Sequence, residues 1–373
     1  MLPWVETLPL VDHHCHGVLR GDVDRPGFEA LLTEAGAPPA PGTTFFDSRI
    51  GFAVRRWCPP VLGLGAHATP EEYLARRADL GAAEVTRRFL GGAGLAALFV
   101  DTGYAPHPVL EPGELGAVAG APAHQVVRLE RVAEEVLAAG GATGFAGEVR
   151  ARLAEAARSA VAFKTIAAYR VGLDLSGRRP TDPEVAAAAS RSAGAPRLAD
   201  EVLHRFLIWT AVDLGRPVQV HVGYGDRDVD LHRCNPLLLT GLLRATEPTG
   251  VPVMLLHNYP YHREAGYLAQ VFPHVFLDVG LATHGVGQRA TALLAEALEL
   301  APFGKFLFST DAYGLPELYH LGTLLFRRAL SDVLRDGLAA DAWTEDDARR
   351  VAGLIGAGNA RRAYRLTEGE PDG

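Results

Sequence analysis

The chain has 373 residues, 48% of them hydrophobic and 21% charged, with a formal net charge of -8. This composition describes a globular protein with material for a large core, and the absence of any basic block argues against nucleic-acid binding. No stretch reaches the ~18 uninterrupted apolar residues of a membrane helix. The N-terminal segment also lacks the basic start and apolar run of a signal peptide. We therefore expect a cytoplasmic protein with no membrane partner.

Short apolar runs rich in β-branched residues recur along the chain, and segments with helical periodicity lie between them. Eight such runs are predicted to be strands: 8–14, 96–102, 125–130, 160–166, 217–223, 251–258, 275–280 and 305–311. Amphipathic helices are predicted at 131–140, 197–215 and 290–302. This alternation predicts an α/β fold, a closed (β/α)8 TIM barrel. An open doubly wound sheet also fits, but no glycine-rich phosphate loop follows the first strand.

A long insertion, residues 17–95, separates the first two predicted strands, whereas a simple βα unit spans ~30 residues. The insertion contains a Pro/Gly-rich segment, "GAPPAPGTT", and a helical stretch at 65–90. We predict one barrel domain over 1–373, with the insertion as a helical lid at the barrel mouth. The C-terminal "EPDG" is predicted to be frayed.

The first predicted strand ends in "VDHHCH", which holds three of the chain's 14 histidines. Alternate residues of a strand share a face, so His14 and His16 are predicted to point the same way, opposite to His13. Asp12 shares the face of these two histidines and is predicted to orient one of them. Two imidazoles at the C-terminal end of a barrel strand lie where barrel active sites form.

Four other predicted strands carry metal-capable side chains near their C-terminal ends. They are Lys164, His221, His257 and Asp311. Each alone has a structural interpretation, such as a hydrogen-bonded core histidine, a capping carboxylate or an ion-paired lysine. Because five of the eight predicted strands carry such a group near their C-terminal ends, the pattern favours a metal site over these structural interpretations. Imidazole nitrogen with carboxylate oxygen suits one or two divalent ions, zinc first, with manganese or iron as alternatives.

Lys164 and Lys305 are the two lysines among 36 basic residues. A lysine amine can react with carbon dioxide to give an anionic carbamate that bridges metals, whereas an arginine guanidinium stays protonated. We therefore predict that Lys164 is carbamylated. Two alternatives remain open for this side chain: an ammonium that binds a substrate carboxylate, and a structural ion pair.

Five motifs follow one another along most of the chain: "DHHCH", "FKTIAAYRVGL", "VQVHVGYGDRDVDL", "LLHNYPYHREAGYLA" and "FSTDAYGLPELY". Together they resemble the amidohydrolase superfamily of metal-dependent (β/α)8 barrels. Within it they are similar to the branch that includes the N-terminal domain of FluG-type and nodulin-type glutamine-synthetase-like proteins. The resemblance implies that His14 and His16 bind one metal together with Asp311.

The resemblance also implies roles for the remaining strand-end residues. His221 and His257 would bind a second metal, or orient the substrate if one metal is present. Carbamylated Lys164 would be the bridge in two-metal members. Bound metal lowers the pKa of its water toward ~7, and Asp311, which would touch both metal and water, is our predicted general base. The expected reaction is hydrolysis of an amide (C–N) or ester bond in a small molecule.

Loops after the strands are predicted to supply the substrate contacts. The candidate residues are Tyr169, Arg170, Asp226, Tyr259, His262 and Arg263. The two arginines suit bidentate pairing with a carboxylate, so a carboxylate-bearing substrate is expected. The alternative for each residue is a surface salt bridge or a position at a helix start.

Two other functions remain open. Related barrels with similar ligands catalyse non-hydrolytic decarboxylation or isomerisation, in which the metal holds a carboxylate or an enediolate. A non-catalytic binding or assembly barrel is the second alternative, although a buried cluster of His and Asp is costly without a function. Such barrels commonly form dimers or larger oligomers, so a homo-oligomer is an expectation by analogy. Cys15 is predicted to be a buried, inert thiol.

Overall fold

The computed structural model describes residues 1–366, so the predicted frayed tail at 370–373 lies outside the described residues. Seven parallel strands form one sheet in sequence order. They are β1 (Leu10–Cys15), β2 (Leu95–Asp101), β3 (Ala123–Arg128), β4 (Ala162–Thr165), β5 (Val218–Val222), β6 (Val253–His257) and β7 (Val275–Leu277). The first seven predicted strands are therefore confirmed. Most of their residues are buried, which explains why they read as apolar runs rather than alternating patterns.

The eighth predicted strand, 305–311, is an extended segment that joins the two ends of the sheet. Leu307 N donates to Leu277 O of β7 at 2.9 Å. His13 N of β1 donates to the carbonyl oxygen of Phe308 at 3.1 Å, and Asp311 N donates to His14 O at 3.0 Å. The ladder to β1 is irregular because β1 has a register shift between Asp12 and Cys15. The bonds on both sides close the sheet, and the fold is an α/β TIM barrel.

Helices surround the strands. Those before β2 are α1 (Pro3–Glu6), α2 (Arg25–Ala30), α3 (Arg49–Val61), α4 (Pro70–Leu80) and α5 (Ala82–Gly91). Those between β2 and the closing segment are α6 (Pro112–Ala119), α7 (Leu129–Ala138), α8 (Phe145–Ala156), α9 (Ala167–Arg170), α10 (Asp182–Ser192), α11 (Glu201–Asp213), α12 (Thr240–Thr246), α13 (His262–Val271), α14 (Gly280–Gly285) and α15 (Ala290–Ala297). The last are α16 (Pro316–Ala339), α17 (Glu345–Gly353) and α18 (Asn359–Tyr364).

Shorter helical turns complete the described elements. The 3-10 turns are Phe45–Asp47, Leu231–Cys234, Pro236–Leu239, Glu247–Thr249, Gly287–Arg289 and Phe303–Lys305, and a π-helical turn spans Leu354–Gly358. The predicted helical stretch at 65–90 corresponds to α4 and α5. Thr69 caps α4 in a capping box with Glu72, and Pro70 occupies the first turn, so the local sequence specifies where this helix begins. No helix within residues 1–366 is both long and apolar enough to cross a membrane.

The barrel interior is filled from below by apolar side chains. They are Val11, Ala97, Phe99, Val126, Ala162, Met254, Leu256, Phe276 and Leu307. The π-helical turn and α18 close this end with three alanines and Tyr364, whose ring lies 4.7 Å from that of Phe99. A larger apolar cluster packs the outer faces of the strands against the helices. The packed floor leaves the C-terminal ends of the strands as the open mouth.

Candidate metal centre

The six predicted metal ligands meet at the C-terminal ends of the strands. Asp311 Oδ1 lies 3.1 Å from His14 Nε2 and 3.4 Å from His16 Nε2. Asp311 Oδ2 lies 3.3 Å from His257 Nδ1, and Lys164 Nζ lies 3.2 Å from His14 Nε2. The His221 ring centroid is 4.6 Å from the His257 centroid. Five separated segments of the chain therefore place nitrogen and oxygen donors around one point.

The hydrogen bonds of Gln219 fix the tautomer of His14. Gln219 Nε2 donates to the carbonyl oxygen of His13 at 2.6 Å, and this oxygen can only accept. The amide oxygen Oε1 of Gln219 therefore faces His14 Nδ1, 2.9 Å away, which must carry the proton. His14 Nε2 is left with a lone pair that points at Asp311 and Lys164. Such a partner on the far nitrogen is typical of a metal-binding histidine.

His16 is oriented in the same way by a different acceptor. Its Nδ1 lies 3.1 Å from the backbone carbonyl oxygen of Asp101, so Nδ1 carries a proton and Nε2 is the lone-pair nitrogen of the neutral imidazole. Nε2 of both histidines thus faces Asp311 Oδ1. A cation among these atoms would be coordinated by two imidazole nitrogens and a carboxylate oxygen. The donor set therefore fits a divalent metal.

The predicted orienting role of Asp12 is wrong. Asp12 accepts hydrogen bonds from Thr310 N at 2.9 Å and from Thr310 Oγ1 at 2.5 Å, and so ties β1 to the closing segment. His13 was predicted to face away from His14, but both contact residues across the barrel. The register shift between Asp12 and Cys15 breaks the strict alternation that the prediction assumed.

A buried hydrogen-bonded network lies beneath the cluster. His13 Nε2 is 2.8 Å from Asp278 Oδ2, and His13 Nδ1 is 2.8 Å from the Tyr364 hydroxyl. Gln219 Nε2 also donates to this hydroxyl at 2.9 Å. The network therefore runs from α18 through Gln219 to His14. We call His13, Gln219, Asp278 and Tyr364 the floor network.

Two of the clustered residues have an unusual backbone conformation. His257 has φ 67° and Asp311 has φ 51°, in the left-handed region that residues other than glycine seldom adopt. Asp278 Oδ1 accepts from His257 N at 2.8 Å, and Asn258 Nδ2 donates to Asp278 O at 2.9 Å, which holds the turn after β6. Strained conformations of this kind cluster at functional sites.

The protonation states suit a metal. Burial lowers the pKa of His14 to about 4, with Lys164 adding to the effect, and burial lowers the pKa values of His221 and His257 well below 6.5. Burial opposes ionisation of Asp311, but the neighbouring histidines, led by His257, lower the pKa of its carboxyl well below 3.8. Burial lowers the pKa of the Lys164 amine to about 8. Neutral imidazoles beside an ionised carboxylate are the forms that coordinate metals.

Several buried polar atoms at the mouth have no hydrogen-bond partner among the described residues. They include His221 Nε2 and His257 Nδ1 in the cluster. Burying such a group without a partner costs roughly 1–3 kcal/mol. His257 Nδ1 and Asp311 Oδ2 are 3.3 Å apart without forming a hydrogen bond. These atoms are free to coordinate a metal.

A cavity of about 680 Å³ opens above the cluster. Four predicted substrate residues line it: Tyr169, Arg170, Asp226 and Tyr259. The Tyr169 ring centroid lies 4.5 Å from that of His221, and the two rings are tilted by 55°. The Arg170 side chain is 10% exposed, and its Nε and Nη1 have no partner within residues 1–366. Another cavity of about 730 Å³ lies between α3 and α16, and no predicted site residue lines it.

The other two predicted substrate residues lie outside this cavity. His262 and Arg263 begin α13, which turns their side chains toward the C-terminal end of α15 and the residues after it. His262 Nε2 is 2.8 Å from Glu296 Oε2, and Arg263 Nε donates to Glu299 at 2.8 Å. The alternative interpretation, a surface salt bridge at a helix start, describes both residues. The prediction that they contact substrate is therefore not supported.

The sequence reasoning missed several residues of the site. Asp101, at the end of β2, has a carboxylate oxygen close enough to the ring nitrogens of His14 and His16 for the three residues to share a metal ion. Arg128 Nη2, however, already donates a hydrogen bond to this carboxylate at 2.6 Å. Gln219 is a polar residue inside an apolar strand, and this contrast could have indicated from the sequence that it contributes to the site. His284 follows β7, lines the cavity and has an unpartnered Nδ1, so its place after a strand could also have revealed it.

Comparisons with known proteins identify the family of the chain. The amidohydrolase family model matches residues 11–366. The fluG protein of Emericella nidulans is 36% identical over 227 residues, and the match covers 57% of this chain and 26% of that protein. The chain thus matches about a quarter of the length of this curated relative.

Solved structures with the same fold were also found. A protein from Lactobacillus casei ATCC 334, assigned as a metal-dependent hydrolase, is 31% identical, with a TM-score of 0.83 over 97% of this chain and 96% of that one. The uronate isomerase of Thermotoga maritima is 15% identical, with a TM-score of 0.65 over 96% of this chain and 95% of that one. The second likeness, at this identity, shows the fold alone.

Proposed function

The chain belongs to the amidohydrolase family, and on that premise we propose that it hydrolyses an amide or ester bond in a small carboxylate-bearing molecule. One observation carries the proposal: histidine ring nitrogens converge on the carboxylate of Asp311 below a cavity of about 680 Å³. Family membership implies a divalent metal, and zinc is our choice because imidazole and carboxylate donors suit it.

The ligand set divides into two parts in this proposal. His14, His16 and Asp311 would hold one metal. His221 and His257 would bind a further metal or orient the substrate. A divalent cation held by these side chains would supply Lewis acidity, which acidifies water and polarises a carbonyl oxygen.

Lys164 completes the centre as a carbamate. Its amine is buried, and burial lowers its pKa to about 8, so a larger share is in the neutral form that reacts with carbon dioxide than for an exposed lysine. The anionic product would offset the charge of two cations among neutral imidazoles. The competing role is an ammonium that holds a substrate carboxylate, and metal content distinguishes the two.

Asp311 is the proposed general base. Its carboxyl is ionised because the neighbouring histidines lower its pKa, so it can accept a proton from water at neutral pH. It then donates this proton to the departing nitrogen or oxygen of the substrate. The left-handed backbone at Asp311 fixes the direction of the side chain over the cluster.

Arg170 is the proposed anchor for the substrate carboxylate. Its Nε and Nη1 are buried in the cavity wall without a partner, and Glu134 Oε1 lies 3.6 Å from Nη2. A substrate carboxylate would accept a charge-assisted hydrogen bond from one of these two nitrogens, which lie on different edges of the guanidinium. Residues 30–34 and Gly36 of the insertion also line this cavity, as expected if the insertion acts as a lid.

Product analysis tests the proposed reaction against its alternative. Zinc-loaded protein is incubated separately with N-acyl amino acids, N-aryl amides, esters and uronic acids. Release of an amine or alcohol with a new carboxylate supports hydrolysis, and Asp311→Asn must abolish it. A product of unchanged mass from the uronic acids, or loss of carbon dioxide, with no hydrolysis in any set, would establish the isomerase or decarboxylase alternative.

A further inference from the structure

The cavity above the cluster contains a carboxylate and a guanidinium that leave each other unpaired. Glu34, on the insertion, lines the cavity and forms no hydrogen bond or ion pair within residues 1–366. Arg170 lines the same cavity, and its Nε and Nη1 are also unpartnered. The other arginines of the lining are engaged elsewhere, Arg128 with Asp101 at 2.6 Å and Arg197 with Asp228 at 2.8 Å.

Aromatic rings surround the Glu34 side of the cavity. Tyr104, Tyr169 and Tyr224 all line it, and burial raises the pKa of each, with the negative charge of Glu34 adding to the effect. Burial, with the charges of Asp311 and Asp226, raises the pKa of Glu34 itself to about 7. Rings of this kind attract a cation to their faces, and a carboxylate among them supplies the counter-charge.

We propose that the substrate of this site is an amino-acid derivative whose ammonium group binds Glu34 among the three tyrosines and whose carboxylate binds Arg170. This inference rests on the proposed function, since it specifies the small molecule that the metal cluster would act on. A ligand that binds both side chains must carry both charges, because Glu34 and Arg170 line the same cavity but form no ion pair with each other. The reacting bond would then lie between the two anchors, above Asp311.

The argument does not depend on an acidic cluster alone. Arg170 is a separate group in the same cavity. Its Nε and Nη1 have no partner within residues 1–366, and its Nη2 lies 3.6 Å from Glu134 Oε1. His284, 3% exposed, adds an unpartnered Nδ1 to the lining, and since burial lowers its pKa to about 4 it is neutral and adds no competing charge near pH 7. The wall therefore offers the carboxylate of Glu34, the guanidinium of Arg170 and the neutral imidazole of His284.

Calorimetric binding of matched ligands tests the proposal. Zinc-loaded protein is titrated with unbranched ω-amino acids, from glycine to 6-aminohexanoate, and with the corresponding acids that lack the amine, from acetate to hexanoate. At one or more chain lengths the amino acid is expected to bind about tenfold more tightly than its partner, as for a hydrogen bond to a charged group. Equal binding of the two members at every length would overturn the proposal.

Variants assign the preference to Glu34. Glu34→Gln should remove the preference, whereas Glu71→Gln, on the same insertion with a side chain that is 67% exposed, should retain it. A preference that survives Glu34→Gln would come from chelation of the metal and would contradict the assignment. Loss of turnover in Glu34→Gln with unchanged selectivity would make Glu34 a proton donor and would also overturn it.

Arg170→Leu should weaken both members of each pair by a similar factor. A loss confined to the amino acids would contradict its role as the carboxylate anchor.

Metal content and hydrolysis of N-acyl substrates are measured in the same preparations. A protein that binds metal and hydrolyses amides but shows no amino-acid preference would refute this inference while leaving the proposed function intact. A protein that shows the preference, lost in Glu34→Gln, but hydrolyses nothing would refute the proposed function and leave the binding assignment standing.

Discussion

The floor and the mouth of the barrel differ in whether their buried polar groups have hydrogen-bond partners. In the floor network, both ring nitrogens of His13, the amide of Gln219 and the hydroxyl of Tyr364 all have partners. At the mouth, His221, His257 and other buried groups have unpartnered atoms. Polar networks that satisfy every member give rigidity, whereas unpartnered buried groups cost stability. The floor is therefore complete as a scaffold, and the mouth gains its partners from metal and substrate.

The largest effect is expected at the mouth, from Asp311→Asn. Asparagine tolerates the left-handed φ of 51° at this position, so the fold should be retained. Loss of the carboxylate removes the proposed base and a metal ligand, and hydrolysis should fall by about 10²–10⁴-fold. Thermal unfolding of the metal-free variant should match the parent to within about 1 kcal/mol. A variant that keeps parental turnover would exclude Asp311 as the base.

A smaller effect on metal affinity is expected from the floor, where Gln219→Leu removes the acceptor for His14 Nδ1. The tautomer of His14 is then no longer fixed, and metal affinity should fall by about 10–100-fold. Since His13 and Tyr364 also lose a partner, metal-free protein should lose roughly 1–3 kcal/mol of stability. Competition with a chromogenic chelator measures the affinity.

Tyr364→Phe is the matched control, because it breaks the lower end of the network and leaves the bond between Gln219 and His14 in place. It should reduce stability with a smaller change in metal affinity. Equal losses of metal affinity in Gln219→Leu and Tyr364→Phe would mean that the floor acts through general stability rather than through His14.

Arg170→Leu tests the mouth away from the metal. Removal of a buried guanidinium with two unpartnered nitrogens should leave the stability of the free protein unchanged or increased. Loss of the carboxylate anchor should raise KM about tenfold while metal content stays constant. Steady-state kinetics and thermal unfolding of the same preparation provide both values. A clear loss of stability would place Arg170 with the structural residues of the floor.

The smallest effect concerns pH. Carbamate forms from the neutral amine, and the Lys164 pKa is lowered from 10.5 to about 8, so the neutral fraction rises as pH rises through this value. His14, His221 and His257 are already neutral because burial lowers their pKa values. Reconstitution with metal and bicarbonate should therefore give several-fold more bound metal at pH ~8.5 than at pH ~6.5. Lys164→Ala should remove the dependence, and a parent insensitive to both pH and bicarbonate would argue for the ammonium role.

Periodicity predicts most of the fold because buried parallel strands leave a strong local pattern. The seven strands, the helices α7, α11 and α15, and the convergence of the six strand-end residues all follow from runs of apolar residues that end in polar ones. The eighth strand and the orientation of His13 do not, because both depend on tertiary pairing. The closing segment bonds to β1 residues nearly 300 positions away, and β1 has a register shift in its pairing with β2.

The substrate residues are less predictable for a related reason. Tyr169, Arg170, Asp226 and Tyr259 line the cavity because each follows directly after a strand. His262 and Arg263 also follow a strand, but α13 begins with them and directs them toward partners near the end of α15. Glu34 belongs to an irregular part of the insertion, where no periodicity indicates which side chain reaches the mouth.

The number of metals bound per chain tests the central claim most directly. Elemental analysis of purified protein, reconstituted with zinc and bicarbonate, is compared with that of Lys164→Ala prepared in the same way. The account predicts close to two metals per chain in the parent and a marked loss in the variant. One metal in both would remove the carbamate bridge, and no metal in the parent after reconstitution would contradict the assignment of the cluster as a metal centre.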